Sequence, residues 1–163
     1  MPIYNMKNGG TGGEAFYLFK YGKHGLPEPV VEDNSSKTTV TIDDDNLKIV
    51  VAKGSNSGRS YVIFNGGEMI DLTEYTSMIM TCDINQPNDG SEAYLYCGTT
   101  REPASTVDGG IGGYTISSGG AEDNKAVCYD LTGINGGRYI SICHNASSTN
   151  AMYMYVKEIT LIK

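Results

Sequence analysis

The chain has 163 residues, about the size of one ordinary domain and enough to bury a hydrophobic core. Its 14 Ile, 9 Val, 14 Thr and 12 Tyr against 7 Leu and 8 Ala, together with 21 Gly, exclude a helical bundle and favour an all-β domain rich in turns. The net charge of −7, without any basic run, argues against binding to nucleic acid or to an anionic membrane surface.

The N-terminal segment 1–13 is rich in glycine and has no hydrophobic periodicity. It predicts a flexible tether, or an assembly arm that orders on a partner with Ile3, Tyr4 and Met6 as its apolar anchors. It lacks the features of a signal peptide, and no apolar stretch is long enough for a transmembrane helix. We therefore expect folding in a cytoplasm, unless a leader has been removed, without membrane insertion, and a single domain over residues 14–163.

A β-hairpin is the clearest local signal in the chain. Residues 38–43 alternate threonine with apolar residues, an Asp- and Asn-containing turn follows, and the run LKIVVA at 47–52 completes the pair. A further strand is predicted at 60–64, and a short one at 69–72.

Two alternating runs follow at 78–84 and 93–97, separated by the turn cluster NQPNDG. They are predicted to pair as an antiparallel hairpin. The remaining predicted strands are 114–117, 126–129, 138–144 and 151–162, the last with a bulge near Lys157 and Glu158. About ten short strands without a convincing helix predict a two-layer antiparallel β-sandwich of jelly-roll type.

The four cysteines lie within strand-like runs, at positions Cys82, Cys97, Cys128 and Cys143. Zinc ligands usually come in pairs two to four residues apart, and that spacing is absent. We expect reduced, mostly buried thiols that pack as small hydrophobic groups. One or two disulfides, in an oxidising setting, are the alternative.

Three phrases carry a family resemblance over residues 37–163. DLTEYTSMIMTCDI at 71–84, YDLTGINGGRYISI at 129–142 and the closing MYVKEITLIK resemble phrases of jelly-roll carbohydrate-binding modules. Within that group the chain also resembles small tail, baseplate and fibre proteins of bacteriophages, through the glycine-rich start and first strand at 8–22. The chain departs from carbohydrate-binding modules in having no tryptophan, and the carboxylates of their structural calcium site are not evident.

The candidate ligand-binding residues are aromatic or basic. Tyr94 and Tyr96 point to the same side of one predicted strand, where they are suited either to stack on sugar rings or to pack against a neighbouring layer or subunit. Arg101 and Tyr114 complete the set. Tyr153 and Tyr155 raise the same question on the last strand.

No metal, cofactor or catalytic site is predicted. The acidic cluster at 43–45 lacks the spacing of a calcium loop and fits a solvated hairpin turn. His24 and His144 are the only histidines, and neither belongs to a nucleophile–base pattern. The chain is therefore not expected to be an enzyme.

The resemblance favours a virion structural protein of the phage tail, baseplate, fibre or capsid decoration. It would assemble in the host cytoplasm with itself and other virion proteins, and would bind cell-surface carbohydrate as an accompanying activity. The alternative is an extracellular carbohydrate-binding module of a secreted enzyme or adhesin. A small hydrolase is the third hypothesis and lacks a recognisable catalytic motif.

Overall fold

The structure is a computed structural model that describes residues 13–33, 38–52, 59–86, 92–101, 113–117, 120–145 and 151–163. Within these ranges the chain forms one 3-10 turn, η1 (Asn65–Gly67), and thirteen β-strands. The strands are β1 (Ala15–Lys20), β2 (Lys23–His24), β3 (Val30–Asp33), β4 (Thr38–Asp43), β5 (Asn46–Val51), β6 (Arg59–Ile63), β7 (Ile70–Asp71), β8 (Ser77–Gln86), β9 (Glu92–Gly98), β10 (Gly113–Ser117), β11 (Gly120–Asp130), β12 (Gly137–Asn145) and β13 (Met152–Ile162). No helix in these ranges is long and apolar enough to span a bilayer.

Two antiparallel sheets confirm the predicted β-sandwich. One sheet has seven strands in the order β11-β8-β13-β1-β2, with the β4-β5 hairpin also attached to β13. The other has six strands in the order β10-β9-β12-β6-β3, with β7 paired to β12. Alternating apolar residues from both sheets meet between the layers in one core cluster, which includes Phe19, Met80 and Leu95.

Strand β13 is the centre of the seven-stranded sheet. Residues 152–156 pair with β5, residues 158–162 pair with β1, and β8 runs along the other side of both halves. The register shifts between Val156 and Glu158, which confirms the predicted bulge. Val156 and Ile159 are three positions apart, a spacing that would place them on opposite faces of a regular strand. The bulge brings both side chains to the buried face.

The predicted pairing of 78–84 with 93–97 is wrong. Strand β8 pairs with β11 and β13 in the seven-stranded sheet, whereas β9 pairs with β10 and β12 in the six-stranded sheet. Alternation indicates which side chains face the core but is the same whether two strands lie side by side or face each other. Because β11 and β13 occupy both edges of β8, no edge remains for β9.

The predicted hairpin and the other predicted strands are present, several with longer bounds and two, at 69–72 and 151–162, with shorter ones. The turn between β4 and β5 consists of Asp44 and Asp45, with φ of 46° and 63°, which confirms a hairpin turn at the acidic cluster. The predicted arm at 1–13, with Ile3, Tyr4 and Met6, lies outside the described residues except for Gly13, and its role stays a prediction.

The two Asp-Leu-Thr phrases form matching turns at one end of the sandwich. Asp71 Oδ1 accepts hydrogen bonds from the backbone N–H and hydroxyl of Thr73 at 3.0 and 2.6 Å, and Asp130 Oδ1 accepts one from the Thr132 N–H at 2.9 Å. These contacts hold the pKa of both aspartates below its usual value. The leucine that follows each aspartate is fully buried, so each turn anchors its strand to the core.

Backbone hydrogen bonds join these turns to the end of the last strand. The Leu131 N–H donates to the Thr76 carbonyl at 2.9 Å, and the Thr76 N–H donates to the Ile162 carbonyl at 2.7 Å. The next residue, Lys163, donates its N–H to the Glu14 carbonyl at 3.0 Å. The two ends of the folded sandwich therefore lie side by side.

All four cysteines are free thiols, as predicted, and three of them are buried. Cys82, Cys97 and Cys143 are at most 1% exposed, and burial raises the pKa of Cys97 to about 11. Cys128 is the exception, because it alternates with buried Val127 and Tyr129 and faces outward on β11.

We expect one thiol of the native protein to react rapidly with a chromogenic disulfide reagent at pH 8, and four after denaturation. Cys128→Ser should abolish the fast phase, because the other thiols are shielded from the reagent and burial keeps Cys97 protonated. Four fast thiols in the native protein would contradict the burial, and fewer than four after denaturation would reveal a disulfide.

A histidine is buried in the core, and the described part of the chain offers its ring no polar partner. His144 on β12 is 0% exposed, and its strand neighbours in register are Ser60 and Ala93. Among the described residues none forms a hydrogen bond with either ring nitrogen. Burial lowers the pKa of His144 to about 3, so the ring is neutral in the folded protein.

Stability should therefore fall as the pH drops below about 6.5, where the unfolded chain starts to bind a proton that the folded chain excludes. Between pH 6.5 and 4.5 protonation of His144 in the unfolded chain should lower the free energy of unfolding by about 2 kcal/mol. Urea unfolding followed by circular dichroism measures this loss. His144→Gln should remove that part of the pH dependence, whereas the half-buried His24→Gln should retain most of it. An identical pH profile for wild type and His144→Gln would overturn the assignment.

Candidate functional site

Among the described side chains, four tyrosines lie on the outer side of the six-stranded sheet. Strand alternation turns Tyr94, Tyr96, Tyr61 and Tyr139 away from the core, while Leu95, Val62 and Ile140, their chain neighbours, are fully buried between the sheets. The tyrosines pack with Val30, Ile63 and Cys143 into a second apolar cluster. We call the four tyrosines the tyrosine face.

The sheet register fixes how the tyrosine face is arranged. Cys143 on the central strand β12 lies between Tyr61 on β6 and Tyr94 on β9, so these two tyrosines are two strand spacings, about 10 Å, apart. Tyr94 and Tyr96 are neighbours on β9, with ring centroids 6.0 Å apart and ring planes inclined by 41°. Aromatic rings therefore follow one another along β9 and also lie across the three strands β9, β12 and β6.

Exposure is uneven across the tyrosine face. Tyr61 and Tyr96 are only 4% and 5% exposed, whereas Tyr94 and Tyr139 are each partly exposed. A partly exposed tyrosine offers an apolar ring surface and a hydroxyl to the same ligand. The accessible part of the face therefore lies on β9 and β12.

An ion pair borders the tyrosine face on the β3 side. Arg101 Nε lies 2.8 Å from Glu32 Oε1, and the two side chains are 44% and 26% exposed. Glu32 pairs in register with Tyr61, which places it beside the buried end of the face. The pair adds hydrogen-bond donors and acceptors next to the aromatic surface without adding net charge.

The sequence placed Tyr94 and Tyr96 correctly on one side of a strand, but only Tyr94 retains exposed surface. Arg101 joins them on the same side of the sheet through its ion pair with Glu32. Tyr114 lies on β10, where its backbone pairs with Leu95 of β9, and its side chain lies outside the described part of the structure.

Tyr61, Tyr139 and Glu32 were not among the site residues predicted from the sequence. The signal for the tyrosines was present, because Tyr61 precedes Val62 in SYVIF and Tyr139 precedes Ile140 in RYISI. Alternation around these two apolar residues assigns both tyrosines to an outward face. No local pattern links Glu32 to Arg101, since 69 positions separate them.

The outer side of the seven-stranded sheet carries charged pairs with tyrosines among them. Lys48 lies 2.6 Å from Asp43, with its Nζ 5.4 Å from the ring centre of Tyr155, and the hydrogen bond to Asp43 raises the pKa of the lysine. Tyr153 on the same strand is 36% exposed. On this side the ring of Tyr155 lies beside an ion pair, whereas the rings of the tyrosine face pack in one apolar cluster.

The titratable groups of the described residues do not assemble into a recognisable metal or catalytic centre. Within the described ranges no group of three His, Cys, Asp or Glu side chains is placed to hold a metal ion. His24 packs its ring 5.1 Å from that of Phe19, and burial lowers its pKa. His144 is enclosed in the core.

Comparisons with known proteins identify relatives of the fold. No protein-family model matches the chain, and no curated protein matches it significantly. Among solved structures it is similar to the glycoside hydrolase domain of Endo-D from Streptococcus pneumoniae R6, with a TM-score of 0.58 and 14% identity over 82% of this chain. This chain spans only 21% of the length of that hydrolase chain.

Two similar structures match over nearly their whole length. One is a family 29 carbohydrate-binding module, with a TM-score of 0.50, 12% identity, and coverage of 91% of this chain and 88% of the module. The other is the D83A mutant of module CBM29-2 complexed with mannohexaose, with a TM-score of 0.50, 13% identity and 91% coverage of both chains. Identities this low establish a shared β-sandwich fold.

Proposed function

We propose that this protein is a non-catalytic carbohydrate-binding module that binds glycan through its tyrosine face. The observation that carries the proposal is the outward cluster of tyrosines, in which Tyr94 and Tyr139 retain exposed surface beside the Arg101–Glu32 ion pair. Aromatic rings stack on the apolar faces of sugar rings, and neighbouring polar groups bind the sugar hydroxyls.

The fold supports the same proposal. The full-length matches are carbohydrate-binding modules, one of them bound to mannohexaose, and the sandwich presents its tyrosines on an open sheet side rather than in the core. Their similarity favours the hypothesis of a carbohydrate-binding module over that of a phage structural protein, for which no comparison offers support. Because polysaccharides are found mainly outside the cell, we also propose that this protein acts extracellularly.

The chemistry of the site favours an uncharged glycan. Arg101 is neutralised by Glu32, and the tyrosine face itself adds no carboxylate, ammonium or guanidinium group. The protein as a whole carries a net charge of −7, which repels polyanionic polysaccharides. We therefore place neutral polysaccharides such as mannans and glucans first among the ligands.

Affinity electrophoresis and titration calorimetry against soluble neutral polysaccharides test the proposal. Tyr94→Ala and Tyr139→Ala should each weaken binding about tenfold, corresponding to about 1.4 kcal/mol of lost stacking. Tyr94→Phe should bind more tightly than Tyr94→Ala, because the ring remains.

Tyr153→Ala is the matched control, since it removes a partly exposed tyrosine from the opposite sheet. It should bind like wild type. Circular dichroism of each variant separates lost binding from lost folding. Equal losses for Tyr153→Ala and Tyr94→Ala would place the binding surface elsewhere, and no binding to any glycan of the panel would refute the function.

A further inference from the structure

The Arg101–Glu32 ion pair connects strands on distant parts of one sheet. Arg101 follows β9, Glu32 belongs to β3, and β12 and β6 lie between them. Three strand spacings amount to about 14 Å, whereas the three residues from Gly98 to Arg101 extend at most about 10 Å. The chain and the arginine side chain must therefore run across the sheet to make the contact.

The crossing lies on the same side of the sheet as the tyrosine face. Glu32 pairs in register with Tyr61, whose side chain faces outward. The guanidinium also rests against Gly67, which is buried with φ of 82°. A Cβ at Gly67 would collide with the guanidinium and would lie 2.8 Å from Val30 Cγ2, so the absence of a side chain makes room for the arginine.

Exposure is lowest in the middle of the row that leads to the ion pair. The row crosses the strands from Tyr94 through Cys143 and Tyr61 to Glu32. Tyr94 is partly exposed, Cys143 and Tyr61 are 1% and 4% exposed, and the Glu32 side chain rises again to 26%. A ligand lying across the strands on Tyr94 therefore meets a covered region and the ion pair in one direction.

We propose that the Arg101–Glu32 ion pair is a wall at which a bound glycan ends, so that the protein recognises chain termini rather than internal stretches. This inference rests on the proposed glycan-binding function of the tyrosine face. The Nη groups of Arg101 donate to hydroxyls of the terminal sugar, and the Glu32 carboxylate accepts from them. In this proposal the rest of the glycan extends in the other direction, over β9.

Binding stoichiometry distinguishes the two modes of recognition. Calorimetric titrations at equal sugar concentration compare mannohexaose with linear mannan, and cellohexaose with a soluble cellulose ether. End recognition gives a fixed number of binding sites per chain, so the number of sites per gram should fall in inverse proportion to chain length. A constant number of sites per gram for polymers of increasing length would overturn the inference while leaving glycan binding intact.

Glu32→Gln should open the wall by removing the ion pair. We expect the number of sites per gram of polymer to rise several-fold, together with weaker binding of the hexaose. Glu68→Gln is the matched control, because it removes an exposed carboxylate from the turn that follows Gly67 and should behave like wild type. Arg101→Lys, which keeps the charge but loses the planar guanidinium, is a second test. Its number of sites per gram should lie between those of Glu68→Gln and Glu32→Gln.

A measurement without ligand tests the wall itself. Amide hydrogen exchange at residues 99–101 should be faster in Glu32→Gln than in wild type and unchanged in Glu68→Gln. Equal exchange in all three proteins would overturn the inference whatever the binding data. If wild type binds neither hexaose nor either polymer, the proposed function falls together with the inference, an outcome distinct from internal binding.

Discussion

The fold depends on the pairing of β13 with three other strands. Its two halves hold β5 and β1 on one side, while β8 runs unbroken along the other. This arrangement requires the bulge between Val156 and Glu158, because a regular strand would turn one of its halves outward. The bulge also brings Lys157 and Glu158 to the outer side together, where they form ion pairs with Asp83 and Lys20. One irregular residue thus serves both the core and the surface.

The six-stranded sheet can then expose its other side. Since the seven-stranded sheet covers its inner side, alternation alone assigns Leu95, Val62 and Ile140 to the core and the tyrosines beside them to the outside. A side chain's depth in that outer layer depends on its neighbours, and Tyr61 is nearly covered whereas Tyr94 is not. The candidate site is therefore a consequence of ordinary sheet geometry, refined by the contacts of one arginine.

Period-two alternation made the fold class, the β4-β5 hairpin and the bulge predictable from the sequence. It identified the face of each strand but not its partner, which is why β8 and β9 were paired incorrectly. The same limit applies to the site. Tyr94 and Tyr96 are close in sequence and were found, whereas the contact between Glu32 and Arg101 depends on the order of four strands. Burial of Tyr96 likewise depends on long-range packing that no local pattern contains.

The backbone hydrogen bond between Lys163 and Glu14 joins the first and last segments of the sandwich. The chain enters and leaves the fold at neighbouring points, and Gly13 lies so close to the Lys163 carbonyl that a Cβ would not fit there. A domain with adjoining ends can be inserted into a surface loop of another protein without increasing the distance between the two ends of that loop. By the same geometry, a short peptide joining the ends would allow new termini to be cut at a distant turn, so the sandwich suits circular permutation and grafting onto unrelated scaffolds.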